Sequence, residues 1–173
     1  IHHTGDMDGS SISLLNLVSH LDTERICPTV LLARDGVLRQ ELESKNIPVD
    51  IIPIYGFWTF PGPRWSEVGF FANFRAFLPN KRLQRYLEDK KPDLVHINDK
   101  VLLSAGIMAH RLHYPIVWHS RSTYYITKAK INSWISSAII RRLSDAIIAI
   151  SEDEVDRFEG SPKLQIIHNS VNF

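Results

Sequence analysis

Three short stretches of this 173-residue sequence combine residue types that can do chemistry, and each lies at the end of an apolar run. In "IVWHSRSTYY", His119 closes the run and Arg121 follows in the loop. A histidine there can donate a hydrogen bond to a hydroxyl or to a developing charge near neutral pH. An arginine suits phosphate or carboxylate, because its fork is bidentate and permanently charged. A histidine in an otherwise apolar strand needs a reason, since an unpaired buried polar group is costly.

The second stretch, "VHINDK", carries His96, Asn98, Asp99 and Lys100. Strand alternation puts His96 and Asn98 on one face and Asp99 on the other. The cluster can grip sugar hydroxyls or an acceptor. Equally, His96 can bond neighbouring backbone, and Asp99 is expected to cap a helix beginning near Val101. The third stretch, "HHTGDMDGSSISLLNL", places Gly5 and Gly9 around a loop before a helix. Asp8, Gly9 and Ser10 then sit at a helix N-terminus, where free N–H groups suit a phosphate. A simple tight turn is the other reading, because the pattern is neither G-x-G-x-x-G nor a P-loop.

His2, His3, His96 and His119 all fall at strand ends, yet no H-x-x-x-H or C-x-x-C spacing exists, so no metal is expected. No G-x-S-x-G elbow supports a nucleophilic serine.

The elements that must position these residues alternate. Strand patterns run over Thr29–Ala33, Val49–Ile54, Asp93–Asn98, Pro115–Ser120, Asp145–Ile150 and Leu164–His168, with Ile1–His3 as the stub of a first strand. Several are apolar on both faces, as strands covered on two sides are. Helical patterns separate them. Ser10 or Ser11 is expected to cap a helix with the stripe Leu14, Leu17, Val18 and Leu21, and Asp35 one with Leu38 and Leu42 inward. Val101 to Leu112 is apolar nearly all round. Ile131, Trp134, Ile135, Ala138, Ile139 and Leu143 form an amphipathic stripe, and Ser151 is placed to cap a short helix from Glu152 to Phe158. The alternation predicts an α/β fold with a doubly wound, mostly parallel Rossmann-like sheet and helices on both faces. Ligands of such sheets bind outside the carboxyl ends of the strands, which is where the three stretches lie.

Bulk composition agrees with one globular domain. Hydrophobic residues make up 44% and charged residues 23% of the chain, so a packed core is expected and disorder is not. The formal net charge of +1 gives no global field for nucleic acid. Cys27 is the single cysteine, which excludes an internal disulfide and fits a reducing compartment; it is expected to be half-buried and inert. Phe70, Phe74 and Phe77 have helical spacing and are expected in the core. Tyr55 to Trp65 lacks that spacing and is expected to line an acceptor groove or touch a membrane surface.

Together, the glycine loop before "ISLLNLVSHL", then "VLLARDGVLRQELESKNIPVDIIPI", "KPDLVHIND", "YPIVWHSRS", "DAIIAISEDEVDRF" and "KLQIIHNSVNF", resemble the amino-terminal half of the retaining GT-B glycosyltransferases of family 4 (glycosyl transferases group 1). The resemblance covers essentially the whole chain. It implies that residues 1–173 are the acceptor-side domain, that the carboxy-terminal nucleotide-sugar domain is absent, and that the chain alone is inactive. It also implies a nucleotide-sugar donor as co-substrate, no other cofactor and no essential metal. His119 would sit beside the donor sugar and stabilise charge. Asp8, Gly9 and Ser10 would approach the donor diphosphate, while His96, Asn98, Arg121 and Ser151 would line the acceptor side or the cleft. The expected partners are the nucleotide sugar, a glycan, lipid or other acceptor, and the missing domain in cis, with no nucleic acid. The expected location is the cytoplasm, free or peripheral to a membrane.

The sequence departs from the family pattern at Asp8–Gly9, where a Gly–Gly pair is common, at Asn98 after His96, where H-x-H is common, and at Asn169–Ser170–Val171–Asn172, usually N-G-V-D. A nucleotide-sugar epimerase of the same fold and a non-enzymatic Rossmann-like binding module are the rival readings. A dinucleotide-dependent dehydrogenase is disfavoured by the missing glycine fingerprint.

Overall fold

The computed structural model describes residues 1–57, 73–121 and 130–169. Its strands are β1 (Val30–Leu32), β2 (Val49–Ile51), β3 (Val95–Asn98), β4 (Ile116–Ser120), β5 (Ala146–Ala149) and β6 (Leu164–Ile166). These strands pair in parallel, with β1 beside β2 and β3 to β6 side by side in chain order. The amino-terminal segment joins the two groups: His2 forms parallel bridges to Leu32 on one side and Asn98 on the other. Backbone bonds from His2 N to Leu31 O (2.8 Å) and from Asn98 N to Ile1 O (2.9 Å) hold it there. The sheet order is therefore β2, β1, the His2 segment, β3, β4, β5, β6. The winding direction reverses at His2, which makes the gap between His2 and β3 the switch point of a doubly wound sheet.

Among the described residues, the helices that connect the strands are α1 (Gly9–Ser19), α2 (Val37–Ser44), α3 (Lys81–Lys90), α4 (Leu103–Arg111) and α5 (Lys130–Leu143), with 3-10 turns at Arg75–Phe77 and Glu152–Arg157. Alternation along β1 separates two cores. Val30 and Leu32 face α1 and α2 with Leu14, Leu15, Val18, Leu38 and Leu42, whereas Leu31 and Ala33 join the larger cluster around Ile97, Trp118 and α4. Trp118 is fully buried against Gly106 of α4, where an added Cβ would run into the indole ring.

Several local expectations need correction. Asp8 caps α1, in place of Ser10 or Ser11, accepting from Ser11 N at 2.8 Å. An aspartate in extended conformation satisfies an orphan amide of the first turn as well as a serine does. Leu17 points outward and Leu15 takes its place inside. Gly36 occupies the cap position of α2 without a side-chain bond, and Asp35 bonds the Gly36 amide next to it. Asp99 does not cap α4, which starts four residues later; it accepts from Val101 N at 3.4 Å in a turn that holds Asp99 at φ 135°. Ser151 stands before the second 3-10 turn without capping it.

On α5 the inward face is Ser133, Ser136, Ser137, Ile140 and Ser144, and Trp134 is 70% exposed. Ser137 and Ser144 bond carbonyls of their own helix, at 2.8 and 2.7 Å, so these hydroxyls are buried without being orphaned. Small side chains let α5 approach α4, and a reading of apolar period alone misses that face. Phe74 is 60% exposed rather than in the core, and Phe77 packs against the core's edge. Cys27 is exposed. Tyr55 is exposed and Phe57 buried; Trp58 to Trp65, Phe70, Phe71 and residues 170–173 lie outside the described residues.

Candidate functional site

Strand register aligns one row of residues across the whole sheet. Ile51 pairs with Leu32, Leu32 with His2, His2 with Asn98, Asn98 with His119, His119 with Ile148, and Ile148 with Gln165. Its centre is polar: His2, Asn98 and His119 sit side by side where an α/β core would ordinarily be aliphatic. His2 and Asn98 are completely buried, and His119 is 6% exposed. The row lies at the carboxyl ends of the strands and at the switch point, under the first turn of α1.

Hydrogen bonds engage most of the polar atoms of this row. Arg121 Nε donates to Asn98 Oδ1, and Nη1 donates to Ser13 Oγ on α1. The same Nη1 donates to Asn169 Oδ1 at 2.7 Å, and Ser13 Oγ also donates to that oxygen at 2.7 Å. Arg121 Nη2 lies 3.2 Å from His119 Nδ1. Asn98 Nδ2 faces His2 Nδ1 at 2.9 Å and Ser10 O at 3.4 Å. His2 Nε2 lies 3.0 Å from Ser11 Oγ, whose own proton goes to Asp6 O at 2.6 Å.

Among the described residues, His119 Nε2 is buried without a hydrogen-bond partner. The His96 ring stands edge-on to that of His119, with centroids 5.5 Å apart. Burial, with Arg121 second, pushes His119 down to about 3. Burial, followed by the electrostatic interaction with His3, does the same for His2. His96 is lowered well below its ordinary value, again by burial first. These imidazoles are neutral at pH 7. Burial lowers Arg121 only to about 10, so it stays charged.

The sequence-predicted residues divide accordingly. His96, Asn98, His119 and Arg121 come together, and Asp8, Gly9 and Ser10 form the adjoining N-terminus of α1. Asn98 and Arg121 are turned onto other side chains: both ends of the Asn98 amide are engaged, and Arg121 grips four protein groups. Burial pushes the Asp8 carboxyl up, but bonds from the Ser10 hydroxyl and the Ser11 amide outweigh it and leave it below its usual range. Gly9 is open, and a Cβ added there would meet nothing within 4 Å. Ser151 follows β5, half-buried, on the next strand end. Sequence reasoning missed Ser11, Ser13 and Asn169. The serines at 10, 11 and 13 were the available signal, since Ser10 and Ser13 share a helix face.

Beside this cluster, Lys100 Nζ lies 3.2 Å from Glu154 Oε2, which also accepts from Ser120 Oγ at 2.5 Å. Among the described residues no group of three or more His, Cys, Asp or Glu side chains is arranged to hold a metal ion. No helix among them is long and apolar enough to cross a membrane.

The sequence profile of Glycosyltransferase Family 4 matches residues 7–173. No curated protein matches the sequence. Among solved structures, Anabaena Alr3699/HepE in complex with UDP-glucose is similar, with a TM-score of 0.67 at 20% identity, over 99% of this chain and 43% of that one. Acinetobacter baumannii MurG gives 0.64 at 16% identity, over 99% and 46%. UDP-GlcNAc 2-epimerase from Neisseria meningitidis bound to UDP-GlcNAc gives 0.57 at 18% identity, over 97% and 44%. The chain thus spans less than half the length of each of these structures, and at such identities the likeness is one of fold.

Proposed function

Because the chain belongs to Glycosyltransferase Family 4, we propose that it is the acceptor-side domain of a retaining glycosyltransferase whose second domain binds a nucleotide sugar. The observation that carries this reading is His119 Nε2, a buried polar atom left without a partner among the described residues at the switch point of the sheet. Burying a donor unsatisfied is costly unless a ligand completes it. A hydroxyl or developing charge of the donor sugar is the natural partner. The open amides at Gly9 and Ser10 would face the donor diphosphate, and His96, beside His119, the acceptor.

The role of His119 is electrostatic. A neutral imidazole cannot neutralise charge, but a fixed N–H aimed at a reacting oxygen stabilises charge that develops there. No metal is needed for that step, so chelators should leave turnover unchanged. The domain would work in the cytoplasm, free or peripheral to a membrane.

The test uses the full-length protein with a panel of nucleotide sugars. His119→Ala should lower kcat by about a hundredfold or more, in the range set by loss of one such donor. An unchanged kcat would remove the assignment. Retention is read from the anomeric configuration of the product. The likeness to UDP-GlcNAc 2-epimerases supplies the rival outcome: interconversion of a UDP-sugar with no acceptor consumed would replace transfer by epimerisation. The isolated chain should turn over no nucleotide sugar, since it would hold only one wall of the cleft.

A further inference from the structure

Arg121 invites reading as a ligand contact, because guanidinium groups bind phosphate and carboxylate well. Its surroundings argue otherwise. It is 8% exposed, and its nitrogens are spent on Asn98, Ser13, Asn169 and His119. A guanidinium has five N–H donors and no acceptor. Its partner His119 Nδ1, at 3.2 Å, must therefore be the unprotonated, accepting nitrogen. In a neutral imidazole the single proton then sits on Nε2.

The same logic propagates away from Arg121. Asn98 Oδ1 must accept from Nε, which turns Asn98 Nδ2 toward His2 Nδ1. The chain of directions ends at His2, whose Nδ1 faces both the Asn98 amide nitrogen and, at 3.2 Å, the Asn98 carbonyl oxygen, a donor and an acceptor. One permanently protonated residue therefore sets the direction of the bonds at His119 and Asn98.

We propose that Arg121 is the positioning residue that fixes His119 as its Nε2–H tautomer, held in place by Ser13 and by Asn169 of the segment leaving β6. The glycosyltransferase reading supplies only the use to which Nε2–H is put; the tautomer stands apart from it. Asn169 and His119 share one guanidinium, so the exit of the domain is tied to the orientation of the ring. A residue acting only on stability would leave the ring's tautomer alone, and this one sets it.

The experiment labels the histidine rings of the full-length protein with 15N and records long-range proton–nitrogen correlations, with His119 identified by the signals lost in His119→Gln. The wild type is expected to show a protonated Nε2 and an unprotonated Nδ1 throughout the neutral range. A wild-type ring protonated on Nδ1, or averaging both forms, overturns the proposal whatever any variant does. Arg121→Met should release the ring to a mixture of tautomers and lower kcat by about tenfold or more with little change in KM, as loss of one aligned proton donor does. Retention of the single Nε2–H form in Arg121→Met overturns the role of Arg121. Asn169→Ala, which spares the core, should shift the ring signals in the same direction by less; unmoved signals break the link to the exit segment. Should the protein transfer no sugar, the spectra still decide the tautomer, so the two readings fail separately.

Discussion

Lys100 Nζ and Glu154 Oε2 are 3.2 Å apart, across 54 residues of sequence, with both side chains only 1% exposed. Lys100 follows β3, and Glu154 lies in the 3-10 turn after β5. Ser120, at the end of β4 between them, donates to the same carboxylate oxygen. One ionic contact thereby gathers three strand ends around His119. Such pairs are weak evidence for net stability, yet losing one partner strands a buried charge. Lys100→Met or Glu154→Gln alone should cost about 3–5 kcal/mol in chemical denaturation. The double variant should recover much of that loss. A double variant no more stable than the worse single one would mean that the contact is not a closed ionic pair.

Protonation of the buried histidines gives acid sensitivity of defined sign. His2 and His119 are held at about 3 when folded, chiefly by burial, against an ordinary 6.5. The unfolded chain therefore takes up protons first, and stability is lost as pH falls from about 6.5 toward 3. His119→Gln should make the slope of unfolding free energy against pH shallower over that window. A slope unchanged in the variant would show that His119 protonates normally in the folded protein.

Two glycines of the first loop should respond oppositely to alanine. A Cβ on Gly5 would lie 2.5 Å from the Asp35 and Gly36 backbone, so Gly5→Ala should cost about 1–3 kcal/mol. Gly9 opens α1 with nothing within 4 Å. Gly9→Ala should hold or raise the melting temperature, since alanine favours helix by up to about 1 kcal/mol. If the donor phosphates approach this backbone, the same change raises KM for the nucleotide sugar. An unaltered KM would place the phosphates elsewhere.

Exposure of Cys27 makes a simple chemical prediction. A thiol reagent should modify one equivalent of the native chain without denaturant, as accessible thiols do. Modification only after unfolding would put Cys27 inside.

Much of this architecture is legible along the chain. Runs such as "DLVHIN" and "PIVWHS" announce strands because burial on both faces demands apolar residues at successive positions. Leu38 and Leu42, at helical spacing, are both fully buried as that spacing requires. His119 stands out by the same rule, as a histidine in a strand that should have none.

What the linear pattern could not contain is which strands become neighbours. His2 reaches Asn98 across 96 residues, and Arg121 reaches Ser13 across 108. Lateral register alone makes His2, Asn98 and His119 one row, which gives Arg121 two of its partners, while α1 and the segment after β6 bring Ser13 and Asn169. The inward turn of the α5 serines has the same origin, because it depends on how closely α4 approaches. Sequence by itself determined the elements and the residues worth suspecting, since local burial leaves a local period. Tertiary structure decided which of them meet, because their hydrogen-bond partners lie across the sheet rather than along the chain.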